Sequence, residues 1–402
     1  MLDAFTSLPW LPWLPWLLAS PAVLALAMSL LNAMWWPRRA TPLTKAPIGV
    51  SICIPARNEA HGIEASVVAA LATGADEVVV LNDGSTDDTP AILARLAAVH
   101  ARLKVLRLDA SLPEGWVGKP RACMVLAQRA GGSHLVFVDA DVVVNADVLR
   151  RLDALRRAFA ADVVTAVPHQ LTVGWLERLV LPLLHMTYTA WLFLPLIWRT
   201  SDARFLAANG QLMWIERDAL DAVGGFAAVK SEIVDDMALC RAVKRVGRRV
   251  LFVDGHELGS CRMYRSPRAV VDGFSKNLYE GVGGSLVGLL GVIALYSTAF
   301  VLPWVAMGML VVTSTMTTGG LSAALSSPWS VPALTAVTAG LALRFVHVVR
   351  HRTDIVSALV HPVGVVVLLA IAVRSWWWSR SGRIAWAGRQ YGARPSRVTH
   401  SP

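Results

Sequence analysis

Apolar residues dominate the start of the chain: from Leu8 to Trp36 it is almost uncharged, long enough to cross about 30 Å of hydrocarbon as a helix. Tryptophans stand at both ends, in "LPWLPWLPW" and "MWWPRR", as in an aromatic belt. From about Gly49 to Gly284 the pattern changes, and short apolar runs alternate with helix-like stretches. "GVSICIPA" predicts a strand, "HGIEASVVAALATG" a helix closed by Gly74, "DEVVVLND" a strand and "TPAILARLAAVHA" a helix. "LKVLRLD" (strand), "KPRACMVLAQRA" (helix) and "HLVFVDA" (strand) continue the alternation. Such spacing predicts βαβ units and an α/β, mostly parallel sheet. From Ser285 to Trp378 the chain is nearly all apolar again, and a short basic tail closes it.

The predicted organisation is an N-terminal transmembrane anchor over 1–40, an α/β domain over 49–284, a transmembrane region over 285–378 and a basic tail over 379–402. A cleaved leader is the competing reading of the first region, but "MLDAFTSLPW" lacks the basic residues such a leader carries. Arg38, Arg39 and Lys45 follow the span, which places that side in the cytoplasm. Within the α/β domain, 179–198 reads "LVLPLLHMTYTAWLFLPLIW". Two prolines and polar His185, Thr187 and Tyr188 favour a segment lying in the membrane interface over one that crosses. Three crossings after Ser285 would leave the arginine-rich tail outside, against its charge. Either one of those segments is re-entrant or interfacial, or the first bends into a hairpin at Pro303.

Hydrophobic residues make up 55% of the chain and charged residues 16%, which excludes an ordinary soluble enzyme. The formal charge of +10 comes with no zinc-finger, helix-turn-helix or RNA-binding signature, so no nucleic-acid partner is expected. Basic residues beside apolar spans suit a membrane surface and a polyanionic substrate instead. Cys53, Cys123, Cys240 and Cys261 show no metal-ligand spacing and read as buried free thiols.

Candidate chemistry gathers where strands end, the place where open α/β sheets bind ligands. Asn58 and Glu59 follow the first strand, and Asp83 follows the second, in "NDGSTDDT". Asp83-Gly84 reads either as a plain turn or as a carboxylate able to bind a uracil imide or a ribose hydroxyl. Asp139 and Asp141 close the fourth strand, where alternation would turn both side chains the same way, toward one ion. Two hard oxygen ligands suit Mg²⁺ or Mn²⁺ bridged to substrate phosphates; solvated acids in a strand-end turn are the plainer alternative. Asp235 and Asp236 open a helix whose predicted apolar face is Met237, Leu239, Val243 and Val246. Acids there suit the helix dipole, and one could instead be a general base. In "AANGQLMWIER", Gly210 and Gln211 mark a place where backbone can pass close to a sugar.

In order, "PARNE", "NDGSTDDT", "GK" at Gly118–Lys119, "DAD", "NGQ" and "VDD" resemble the motifs of family 2 glycosyltransferases with the GT-A fold, over about Ser51 to Gly284. The resemblance implies that Pro55, Asn58, Glu59 and Asp83 line a nucleotide pocket and that Lys119 reaches phosphate or ribose. Asp139 and Asp141 then match the DxD metal signature, with Asp141 the more direct ligand. Asp236 matches the catalytic base, supported by Asp235. An inverting transfer from a nucleotide-diphosphate sugar, UDP-sugar favoured, is implied, with Mg²⁺ or Mn²⁺ as cofactor. The Gln-x-x-Arg-Trp motif of processive polysaccharide synthases is missing where "SCRMYRSPRAVVDGFSKNLYEG" stands, which argues against polymerisation. "RMYRS", "GFSKNLYEG" and "WAGRQY" are instead similar to membrane glycosyltransferases of carotenoid and hopanoid pathways. Arg262 and Arg265 then become candidates for the diphosphate, or ordinary surface arginines. Trp386 and Arg389 either fold back to the site or anchor at the membrane. The expected protein is a multi-pass enzyme of the bacterial inner membrane, facing the cytoplasm, that adds one sugar to a lipid hydroxyl. Polyprenyl phosphate or diacylglycerol acceptors, and a non-catalytic membrane scaffold, are the competing readings.

Overall fold

The computed structural model describes residues 13–38, 40–108, 111–316, 320–383, 385–386 and 389–390. Arg39, Trp10 and the tail beyond 390 lie outside the described residues, as do the side chains of Trp386 and Arg389. The described chain forms two compact units, one from 35–172 and 194–265, the other from 13–34, 173–193 and 266–378.

The first unit is an eight-stranded sheet: β1 (Val50–Ala56), β2 (Glu77–Asn82), β3 (Leu103–Arg107), β4 (His134–Val138), β5 (Val142–Val144), β6 (Val163–Gln170), β7 (Leu212–Glu216) and β8 (Val250–Cys261). β1 and β2 are buried along their whole length, as central strands covered by helices on both faces must be. The predicted alternation of strands and helices up to Val138 is present, each element within a residue or two of its expected bounds. The order is β3-β2-β1-β4-β7-β6-β8-β5. Four pairings are parallel and three antiparallel, the antiparallel ones being β4 with β7, β6 with β7, and β5 with β8. Ile52, Ile54, Val80, Leu93, Val136, Leu152 and Trp214 belong to one continuous core.

Register decides what meets at the sheet edge. Ala56 pairs with Asn82, so the loops after β1 and β2 leave side by side. Val138 pairs with Leu212 of the antiparallel β7, which sets Gly210 and Gln211 beside Asp139; the Asp139 peptide N–H donates to the Gln211 carbonyl at 3.0 Å.

Asp139 and Asp141 do not sit on a strand. β4 ends at Val138, and a tight turn, in which the Val142 N–H donates to the Asp139 carbonyl at 3.0 Å, leads into β5. Strand alternation therefore does not orient them. The helix Asp235–Arg245 also departs from its expected apolar face: Val246 is exposed, while Cys240 and Lys244 are buried with Leu239 and Val243. Lys244 is tolerated inside because its ammonium donates to the carbonyls of Ile197 and Phe205, both at 2.8 Å.

In the second unit, helices Leu14–Trp35, Ser330–His351 and His361–Arg380, of 22, 22 and 20 residues, are long and apolar enough to cross a membrane. Helices Pro267–Gly281 and Leu286–Phe300 meet at a bend of 113°. The Arg350 guanidinium donates to the Ala33 carbonyl at 2.5 Å, so the C-terminal ends of two of these long apolar helices lie together. Farther in, Arg344 donates to the Ser357 hydroxyl at 3.1 Å, and His361 lies against Gly340. The final long helix thus starts beside the middle of Ser330–His351, and its Ser375 hydroxyl accepts from the Tyr279 N–H at 2.9 Å.

The stretch 173–193 is not a continuous helix. It holds Trp175–Val180 and Leu183–Thr189, broken around Pro182, and such breaks strand carbonyls without helical partners. Polar side chains of the long apolar helices take them up: Asn32 Nδ2 donates to the carbonyls of Thr189 (2.8 Å) and Leu192 (2.7 Å), and Arg344 to that of Pro182 (3.2 Å). Away from water, irregular backbone persists only with such partners.

Candidate active site

Two loops at the ends of β1 and β2 are clasped together. Asn58, at φ 56°, accepts from the Thr86 N–H at 2.8 Å through Oδ1, and its own N–H donates to the Ser85 hydroxyl at 3.0 Å. The Glu59 N–H donates to Thr89 Oγ1 at 2.9 Å and the Ala60 N–H to Asp87 Oδ2 at 3.0 Å. Burial works against the Asp87 carboxylate, but hydrogen bonds from Thr89 and from the Ala60 N–H hold its pKa below the ordinary value. "STDDT" is thus largely a fastening, and Asp87 Oδ1 also accepts from the N–H of Thr89, the first residue of the following helix, at 3.1 Å. Arg57, which the sequence reading passed over, donates to the carbonyls of both Asp83 and Gly84. Asp83 is buried at the end of β2, and Pro55 lies inside β1, paired with Leu81.

Across the edge, Lys119 opens the helix Gly118–Arg129 and grips Asp139, its Nζ 2.6 Å from Oδ1 and 2.9 Å from Oδ2. Gly210 stands where a Cβ would meet Asp236 Cβ at 3.2 Å and Lys119 Nζ at 3.3 Å, so glycine permits the close approach. Its N–H donates to Asp236 Oδ2 at 2.7 Å, and the Met237 N–H donates to Oδ1 at 2.8 Å. Lys119, Asp139, Gly210 and Asp236 therefore meet at one point, with Asp235 buried beside them.

The electrostatics follow from burial among like charges. Burial first, then Asp141 and Asp139, pushes Glu59 up to about 8, with Arg265 opposing. Asp141 is raised to about 6 by burial and by Asp139. Asp235 is raised to about 6 by burial, Lys119 pulling the other way, and Asp236 is raised chiefly by burial. Lys119 stays charged despite burial because Asp139 and Asp235 face it. Asp139 has its cation; Glu59 is opposed by Arg265, an exposed residue, and Asp141 by Lys119, which Asp139 already engages, and by Cys261. Such a surplus of buried negative charge fits a divalent cation. Among the described residues no group of three or more His, Cys, Asp and Glu is arranged to hold a metal ion. A cation here would draw on one or two carboxylates and on substrate oxygens, the habit of Mg²⁺.

Gln211 does not offer its side chain to the edge. Its Nε2 donates to Cys261 Sγ at 3.1 Å and its Oε1 accepts from Gln170 Nε2 at 2.8 Å. Cys261, the ladder partner of Val142, and the phenol of Tyr264 both lie near enough for Asp141 to help burial raise their pKa. Neither residue was foreseen, since both reach the site only through strand pairing. Arg262 is half-buried and Arg265 exposed.

The sheet is the mostly parallel α/β arrangement expected from the motifs, with the acids gathered where its strands end. Residues 47–274, more than half of the chain, match the family described as "Glycosyltransferase like family 2", and the chain belongs to that family. It is a glycosyltransferase. A similar curated protein is the 4,4'-diaponeurosporenoate glycosyltransferase of Staphylococcus aureus (strain USA300), 24% identical over 355 residues that cover 85% of this chain and 88% of the relative. Among solved structures, a mannosyltransferase from Pyrobaculum calidifontis in complex with GDP-Man and Mn²⁺ aligns with 80% of this chain and 97% of its own, at 19% identity and a TM-score of 0.47. Glucosyl-3-phosphoglycerate synthase from Mycobacterium tuberculosis, solved with Mn²⁺, UDP and phosphoglyceric acid, aligns with 62% of this chain and 78% of its own, at 19% identity and a TM-score of 0.36.

Proposed function

We propose that this glycosyltransferase moves one sugar from a nucleotide-diphosphate sugar to a lipid hydroxyl, with inversion. The observation that carries the reading is the meeting of Lys119, Asp139 and Asp236 around Gly210. Asp83, Asn58 and Glu59, with Pro55 behind them, form the nucleotide side of the cleft, and Lys119 supplies positive charge to the diphosphate. Asp236 accepts the proton of the attacking hydroxyl. Burial makes it a stronger base than a free carboxylate, while the N–H groups of Gly210 and Met237 fix its direction. Asp235 supports it from the same helix turn, and Arg262 and Arg265 are assigned to the diphosphate, Arg265 being close enough to act on Glu59. Asp141, with Asp139, would hold Mg²⁺ or Mn²⁺, which when bound offsets the charge of a departing nucleoside diphosphate.

The acceptor is a lipid, with a carotenoid-type molecule favoured. Three apolar helices of membrane length support this, and the similar S. aureus protein is a diaponeurosporenoate glycosyltransferase. The protein belongs in the bacterial inner membrane as a multi-pass chain with its sheet unit in the cytoplasm. Arg38 and Lys45 follow the first span, and Arg350 and Arg352 stand at the matching end of another, the charge bias of cytoplasmic ends. His361 lies against Gly340, and a re-entrant stretch after Arg352 would return the basic tail to that side.

Mass spectrometry of lipids from cells with and without the gene tests the reading. A species heavier by one hexose should depend on the gene and vanish with Asp236→Asn. Loss of no glycolipid in the deletion strain would contradict it.

A further inference from the structure

Asp141 lies in a turn, where its own backbone N–H reaches its carboxylate, and it is crowded by Asp139 and Glu59. One local donor leaves the carboxylate free to turn away from those neighbours. A second donor comes from β8. The pairing of Val142 with Cys261 and of Gln170 with Cys261 sets the end of β8 between the start of β5 and the end of β6, next to the turn.

The hydrogen bonds run in one direction. Gln170 Nε2 donates to the Pro168 carbonyl at 3.0 Å and to Gln211 Oε1 at 2.8 Å. Gln211 Nε2 donates to Cys261 Sγ at 3.1 Å. The sulfur accepts from that amide, which leaves the thiol hydrogen for the Asp141 carboxylate, the residue next to Cys261's ladder partner Val142. Gln170, Gln211 and Cys261 are all buried, at 8%, 6% and 1% exposure, so water does not compete for these donors. Gln211 is itself fixed, its N–H donating to Asn209 Oδ1 at 2.9 Å. A cysteine there only to fill space would need none of these polar partners.

We propose that Cys261 and Gln211 are positioning residues: the relay Gln170–Gln211–Cys261 orients the Asp141 carboxylate for a divalent cation. The inference rests on the reading of Asp141 as a metal ligand. Outer partners of this kind set the direction and basicity of a ligand, and their loss commonly weakens metal binding by about 10–100-fold.

The test uses the full-length protein in detergent, with Mn²⁺ affinity in saturating UDP read by electron paramagnetic resonance and UDP affinity in EDTA by calorimetry. Cys261→Ala and Gln211→Leu should each weaken Mn²⁺ by about tenfold or more, while UDP affinity in EDTA stays within about twofold. Cys261→Ser, which keeps a donor, should stay within about threefold of the wild type for Mn²⁺. Wild-type Mn²⁺ affinity in Cys261→Ala, a serine variant as weak as the alanine one, or a parallel loss of UDP binding in EDTA would each overturn the proposal. Asp141→Asn separates the two layers: unchanged Mn²⁺ binding in that variant removes the metal-ligand reading itself. Should Cys261→Ala fail to fold, Gln211→Leu and Cys261→Ser carry the same comparison.

Discussion

Glu59 offers the sharpest test of the site's charge. Its carboxyl is pushed from 4.5 to about 8 by burial and by the charges of Asp141, Asp139 and Asp87. In the unfolded chain it ionises near its ordinary value, so between those two pH values the folded protein holds a proton that the unfolded one has lost. Stability from this group is full below about pH 4.5 and is lost as pH rises through about 8. The whole interval corresponds to about 5 kcal/mol, and partial exposure to water reduces that to about 3 kcal/mol. Glu59→Gln keeps the shape and removes the ionisation. Thermal unfolding in detergent with EDTA should give nearly equal midpoints for the two proteins at pH 5. At pH 8.5 the variant should be more stable, by about 6 °C or more at 2–4 °C per kcal/mol. Relief of Asp141 acts in the same direction. A variant no more stable than the wild type at pH 8.5 would refute the picture of crowded, uncompensated acids.

Other consequences are as direct. Lys119→Met leaves Asp139 and Asp235 without their cation, at a cost of about 3–5 kcal/mol, so the melting point should fall at pH 8 and recover partly near pH 5.5 as the acids protonate. Gly210→Ala puts a methyl 3.2 Å from Asp236 Cβ and 3.3 Å from Lys119 Nζ; kcat should drop about 10–100-fold with UDP affinity little changed. Asn32→Leu removes the donors on Thr189 and Leu192 and should cost about 1–3 kcal/mol, visible as faster protease cleavage within 173–193.

The sequence made the first half of the sheet legible because buried parallel strands are short apolar runs and the helices between them are longer and mixed. β1, β2 and β4 are of this kind, and the loops after them carry Glu59, Asp83 and the acid turn. Three features were hidden, each resting on partners distant in the chain. The placing of antiparallel β7 between β4 and β6 brings Gly210 to Asp139, and nothing local specifies that order. Lys244 reads as a surface lysine until the carbonyls of Ile197 and Phe205 are seen on it. Cys261 reads as a small core residue until strand pairing delivers it to Asp141. The acid pair was recognised for its composition but given the wrong local geometry, since an apolar run does not reveal that its last residues leave the strand.

On the proposed function, the acids after β4 bind a cation and a nucleoside diphosphate together. Calorimetric titration of the purified protein with UDP, in Mn²⁺ and in EDTA, tests it most directly. UDP should bind at least tenfold more tightly with Mn²⁺, and Asp141→Asn should abolish that difference while leaving the affinity in EDTA intact. Equal UDP affinity with and without the metal, in the wild type, would contradict the account.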